Sequence, residues 1–132
     1  MKSTFLISLF VLLTSFSAKE YVKIFYENGK IKEQGWLVNG NKSEYWFFYH
    51  ENGLKKQEGH YNNNQKINWW IYYDKNEKIL KKSEYKNNVL NGLTLVYKNG
   101  KIVLAEKYTK GKKVKSWNSI SEFKKDNNTL FN

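Results

Sequence analysis

From Lys19 onward, short runs rich in Tyr, Trp, Phe and Ile alternate with clusters of Asn, Gly and Lys. Runs of this length and composition, bounded by turn residues, read as β-strands. The turn signals come in two series. Asn-Gly recurs at 28–29, 52–53 and 99–100, with Asn76-Glu77 as a degenerate copy. Asn39-Gly40, Asn63-Asn64, Asn87-Asn88 and Lys110-Gly111 form the second series. Asn and Gly tolerate the positive φ that both central residues of a two-residue type I′ hairpin loop require. The pattern therefore predicts an all-β, antiparallel meander of eight or nine strands in one elongated sheet.

The two series repeat together. Sliding residues 25–48 onto 49–72 matches Glu27, Asn28, Gly29, Lys32, Gly35, Asn39, Lys42 and Trp46 with identical residues, eight of 24 positions. A weaker third unit follows, and a fourth that is one residue shorter at its first turn. This predicts about four two-stranded units over residues 18–117. Counting outward from two-residue loops sets a register. Val22 falls opposite Gly35, Trp46 opposite Gly59, Trp70 opposite Ser83 and Thr94 opposite Ala105. A large residue meets a small one each time, and a ring laid over a strand glycine restores packing that glycine lacks. Gly35, Trp46, Gly59 and Trp70 are thus expected to be structural, as are the turn residues Asn28, Gly29, Asn52, Gly53, Asn99 and Gly100.

Alternation then separates two faces. Face one carries Ile24, Gly35, Leu37, Trp46, Phe48, Gly59, Tyr61, Trp70, Tyr72, Ser83, Tyr85, Val96, Val103 and Ala105, and is expected to be the packed face. Face two carries Trp36, Tyr45, Phe47, Tyr49, Lys56, Glu58, His60, Trp69, Ile71, Tyr73, Lys82 and Glu84, and is the expected contact surface. Trp36, Tyr45, Tyr49, Lys56, Trp69 and Tyr73 are the candidate partner-binding residues.

The two ends depart from the pattern. Lys2 followed by the apolar run Phe5–Leu13 and then Ser15-Phe16-Ser17 has the anatomy of a cleaved signal peptide over residues 1–17. The run is shorter than the ~20 residues of a membrane span. The expectation is an exported chain, periplasmic, surface-held or secreted, whose mature part carries no transmembrane span. After Trp117, Ser119 followed by Glu122 fits a helix capping box. Residues 118–132 are expected to form a short helical cap, with Ile120 and Phe123 on the last strand, and then a loose tail from Asp126.

Composition narrows the chemistry. Aromatic residues are 17% of the 132, too many for a disordered chain. The absence of cysteine excludes disulfides, thiolate metal sites and thiol nucleophiles. His50 and His60, the two histidines, fall on opposite faces and too far apart to share a metal. Glu27 and Glu51 recur, but at turns, and no phosphate loop or nucleophile–base pair is present. The expectation is no catalytic residue, no metal and no cofactor: not an enzyme. All 23 basic residues are lysines, and the formal net charge is +11. Lysine on strands blunts sheet edges against aggregation, and it also attracts anionic surfaces. Export and the lack of arginine, the usual phosphate and base reader, argue against nucleic acid.

Tyr-x-Glu-Asn-Gly, then Lys-x-x-x-Gly-x-Tyr, then Asn-Gly, then Trp-x-x-Tyr, closest in Phe25–Trp46 and Tyr49–Trp70, resembles the variant MORN repeat. The match weakens where Glu77 and Ser83 replace glycines. The resemblance implies an antiparallel repeat sheet that serves interaction or membrane-proximal roles, with no catalytic residues. Bacterial members are often described as antitoxin components. The expected function is an exported, non-catalytic binding module that offers an aromatic, lysine-bearing face to a protein or an anionic envelope surface. Two alternatives stand beside it: an antitoxin or immunity protein, and a structural surface protein without a specific ligand.

Overall fold

A computed structural model of the chain describes residues 17–130. The leader expected at 1–17 therefore lies outside the described residues, apart from Ser17. Nine strands follow in order: β1 (Lys19–Phe25), β2 (Ile31–Val38), β3 (Asn41–Tyr49), β4 (Lys55–Asn62), β5 (Gln65–Tyr73), β6 (Ile79–Lys86), β7 (Val89–Lys98), β8 (Lys101–Thr109) and β9 (Lys112–Trp117). They form one antiparallel sheet in which every strand pairs with its sequence neighbours, leaving β1 and β9 as the edges. A helix α1 (Ile120–Asp126) and a 3₁₀ turn η1 (Asn128–Leu130) close the described chain.

The two turn series build two different loops. Asn39-Gly40, Asn63-Asn64, Asn87-Asn88, Asn99-Gly100 and Lys110-Gly111 have positive φ at both residues, as a two-residue type I′ loop requires. Asn28-Gly29 and Asn52-Gly53 do not. There the loop has three residues: Gly53 N donates to His50 O, His50 N donates to Leu54 O, and only the glycine, at φ +89°, is left-handed. Asp74–Lys78 makes the same loop, with Glu77 at φ +61° in the glycine position. The longer loop slips the register by one residue. A bulge at Lys32, Lys56 or Leu80 on the returning strand slips it back. The pairs Val22–Gly35, Trp46–Gly59 and Trp70–Ser83 therefore stand as expected.

The fourth hairpin breaks this balance. Its loop, Asn99-Gly100, has only two residues, yet the returning strand keeps its bulge, between the partners of Val96 and Tyr97. Register beyond it is displaced by one, so Ala105 meets Leu95, and Thr94 meets Glu106 rather than Ala105. Ala105 consequently turns to face two, not face one.

A second irregularity decides where the indoles go. Glu44, Asn68 and Gly92, spaced by 24 residues, all have positive φ. Each lies at a bulge against the preceding strand. In that gap the Trp46 ring lies back over Gly35, and Trp70 over Gly59, so a Cβ added to either glycine would collide with the ring. Trp46 Nε1 donates to Trp36 O at 2.9 Å, and Trp70 Nε1 to His60 O at 3.1 Å. The expected strand pairing is right, but the ring it was meant to place over Gly59 covers the glycine one hairpin earlier. Ser83, opposite Trp70, is bound instead by Thr94 Oγ1 at 2.9 Å.

Successive units are stapled at both ends of the strands. Asn52 Nδ2 donates to Lys75 O at 2.7 Å, and Asn28 Nδ2 to Glu51 O at 3.0 Å. At the opposite end Asn64 and Asn88 accept from Lys42 N and Lys66 N, and return their own amides to the same residues' carbonyls. The polar turn residues thus do two jobs: they shape the loop and satisfy the neighbouring loop's backbone.

Deep burial is confined to a few residues, because a lone sheet has no second layer to cover it. Trp46, Trp70 and Ala105 are fully buried, and Trp117 and Phe123 nearly so. Face one is packed only within itself, ring against ring: Phe48, Tyr61 and Trp70 lie 4.9–6.4 Å apart, centroid to centroid. α1 is capped by Ser119, whose Oγ accepts from Glu122 N. It lays Phe123 edge-on against Trp117, beside Ala105. The helix therefore covers one end of face two. Asp126, at the start of the expected tail, is held: its carboxylate accepts from Trp117 Nε1 at 2.8 Å and pairs with Lys115 at 2.7 Å.

Candidate functional site

Face two of β1–β6 gathers the candidate residues into one uncovered patch. At its β1 side Trp36 meets Tyr21 edge-on at 5.2 Å, with the Lys19 ammonium 4.5 Å over its ring. Tyr45 follows, between Phe47 at 5.0 Å and His60 at 4.7 Å. The Tyr49 hydroxyl accepts from Gln34 Nε2 at 2.7 Å. Trp69, 37% exposed, stands opposite Glu84. Tyr73 completes the row, with the Lys55 ammonium 5.0 Å over its ring.

The middle of the patch holds a residue that alternation placed here without a role. Glu58 pairs with Phe47 on one side and Ile71 on the other, and is 8% exposed. Its Oε1 accepts from the Tyr73 hydroxyl at 2.9 Å. Its Oε2 has the Lys55 ammonium at 3.3 Å, out of line for a hydrogen bond. Burial, then the bond to Glu58, pushes the Tyr73 hydroxyl well above the usual tyrosine range. Burial, then the Glu58 charge, raises Tyr45 as well. The Tyr73 hydroxyl is the donor to Glu58. The signal for Glu58 in the sequence was an acid among aromatics on one face, a mark it shares with Glu84.

One candidate is displaced. Lys56 is the bulged residue, so its place on face two is taken by Lys55, which pairs with Glu58 and Glu77. Lys56 is exposed and lines an open cleft of about 420 Å³ with His50, Leu80 and Tyr97. Counting by twos cannot register a bulge, which is why the neighbouring lysine was chosen.

The patch offers flat ring faces, ammonium groups held over rings, and one half-satisfied buried carboxylate. His60 is engaged by Tyr45, and His50 Nε2 lies 3.4 Å from Tyr73 O. Among the described residues no group of three His, Cys, Asp or Glu is placed to hold a metal. No helix among them is long and apolar enough to cross a membrane. No family model and no curated protein matches the chain.

Proposed function

We propose that this chain is an exported, non-catalytic interaction module whose face two binds a protein or an anionic envelope surface. One observation carries the reading: Trp36, Tyr45, Tyr49, Trp69 and Tyr73 share one sheet face that α1 leaves open between β1 and β6. A single sheet exposes such rings at a cost in apolar hydration, and a contiguous patch of them is characteristic of contact surfaces. The lysine-rich composition and the signal-peptide anatomy of residues 1–17 support an envelope location. The likeness of Phe25–Trp46 and Tyr49–Trp70 to the variant MORN repeat supports an interaction role.

The test compares wild type with Trp36→Ala and Trp69→Ala, which keep the net charge, for retention on isolated envelope fractions. Circular dichroism checks that the sheet is retained. Loss of retention in both variants is expected. Unchanged retention would remove face two as the binding surface. N-terminal sequencing of the native protein tests export separately, with a chain beginning at Ala18 as the expected result.

A further inference from the structure

Face one carries two lysines, Lys66 and Lys81, that form no ion pair among the described residues. In the first unit, Lys42 lies over Trp46 and Phe48, and its ammonium is 3.0 Å from Glu33 Oε1. Lys66 occupies the same position 24 residues later. It lies 4.2 Å from the Trp70 centroid and 5.3 Å from those of Tyr72 and Tyr85. The residue equivalent to Glu33 is now Gln57, and 24 residues further it is Lys81. Lys81 stands 4.7 Å over the same Tyr72 ring. The carboxylate that neutralises the first lysine has been exchanged for an amide, and then for a second cation.

The hydrogen-bond inventory points the same way. Lys66 Nζ makes one bond, to the Tyr72 hydroxyl at 3.1 Å, and Lys81 Nζ makes none. The hydroxyls of Tyr72 and Tyr85 are 2.8 Å apart. One phenolic hydrogen lies between them, so the other is unused. Two ammonium groups and one hydroxyl thus converge with hydrogens to give, and neither ammonium has an ion-pair partner among the described residues; Glu106, which feels the Lys81 charge, is already engaged by Lys113 and the Tyr108 hydroxyl. Burial, then the charge of Lys81, pulls Lys66 below the usual lysine range, as expected for a cation lacking a partner. The wider charge distribution adds to this. Residues 78–115 hold eleven lysines against Glu84 and Glu106, whereas residues 18–77 hold nine against eight carboxylates. The same cleft that Lys56 lines, of about 420 Å³, is also walled by Tyr72, Lys81 and Val96 and opens beside the pair.

We propose that Lys66 and Lys81, with the Tyr72–Tyr85 hydroxyl pair, form a docking point for an Asp or Glu side chain of a protein partner on face one. The chain itself shows the bound geometry, since Glu33 on Lys42 is the same contact made internally. This surface is opposite the face-two patch, so either assignment stands or falls without the other.

The experiment titrates the full chain with a capped hexaglutamate peptide, its hexaglutamine counterpart and sodium phosphate, reading lysine side-chain signals by NMR. The glutamate peptide is expected to shift Lys66 and Lys81 saturably, to raise the Lys66 titration, and to leave Lys23 and Lys101 unchanged. Gln57→Glu rebuilds the Glu33–Lys42 arrangement inside the chain. It is expected to raise the Lys66 titration unaided and to weaken peptide binding by about tenfold or more, as charge neutralisation at a contact does. Lys81→Gln, away from the indole packing, is expected to weaken binding without loss of fold. Shifts spread evenly over all lysines, or Gln57→Glu binding the peptide as wild type does, would overturn the proposal. So would phosphate saturating the pair as tightly as the peptide, since the site would then take free anions.

Discussion

Gly59→Ala tests how the sheet is locked together. A Cβ on Gly59 would lie 2.5–2.6 Å from Cδ2, Cε2 and Cγ of Trp70, a fully buried ring. Carbon atoms in contact sit at about 3.5–4.0 Å, so the indole must retreat by about 1 Å. Overpacking of this kind costs about 1–3 kcal/mol. A ring that lifts also loses the bond from Trp70 Nε1 to His60 O, worth about 1 kcal/mol. The expected loss is about 2–4 kcal/mol. With an m-value near 2 kcal/mol/M, a 3 kcal/mol loss lowers the urea midpoint by about 1.5 M. Urea unfolding followed by circular dichroism measures it. The same substitution in Trp70→Leu and Trp46→Leu backgrounds identifies the ring responsible. The penalty should largely vanish without Trp70 and persist without Trp46. Rescue by Trp46→Leu, or a Gly59→Ala cost below about 0.5 kcal/mol, the range of unremarkable surface changes, would refute the backward-lying indole.

Three further outcomes follow from other parts of the sheet. Glu77 holds a left-handed conformation where Gly29 and Gly53 stand in the preceding units, so Glu77→Gly should stabilise the chain by about 0.5–1 kcal/mol in the same assay, the left-handed penalty exceeding glycine's entropy cost; its 3.8 Å pair with Lys55 is too exposed to offset this. Phe123→Ala should release α1 from Trp117 and cost about 3 kcal/mol or less, since the ring packs only at the sheet end; amide exchange at residues 120–126 should accelerate to unprotected rates. Tyr61 is pushed up to about 12, chiefly by burial and then by Glu33, and burial raises Tyr72 and Tyr73 as well. The native state therefore holds these protons more tightly than the unfolded chain, whose tyrosines titrate near 10. Stability should be intact below about pH 10 and fall as pH rises through 10 to 12, tracked by phenolate absorbance and circular dichroism together.

The sequence by itself determined that this is a single antiparallel meander. Its turn residues are local: Asn39-Gly40 or Asn99-Gly100 needs no tertiary partner to favour positive φ. The spacing between turns then settles which strand follows which, and three of the four large–small pairs. The capping box at Ser119 was legible for the same reason, since its hydrogen bonds lie within one turn of helix. Only the tertiary structure decided where the alternation is broken. The bulges at Lys56, Leu80, Glu44 and Asn68 carry no composition mark. They arise where two strands of unequal length must stay paired, so they are properties of the pair and not of either segment. Each one redirects side chains. Lys55 replaced Lys56 beside Glu58, Ala105 turned to the helix side, and the indoles of Trp46 and Trp70 fell back over Gly35 and Gly59. The Lys66–Lys81 pair was equally hidden. Its residues lie on different strands, and only the paired sheet brings both ammonium groups over Tyr72 with no ion-pair partner among the described residues.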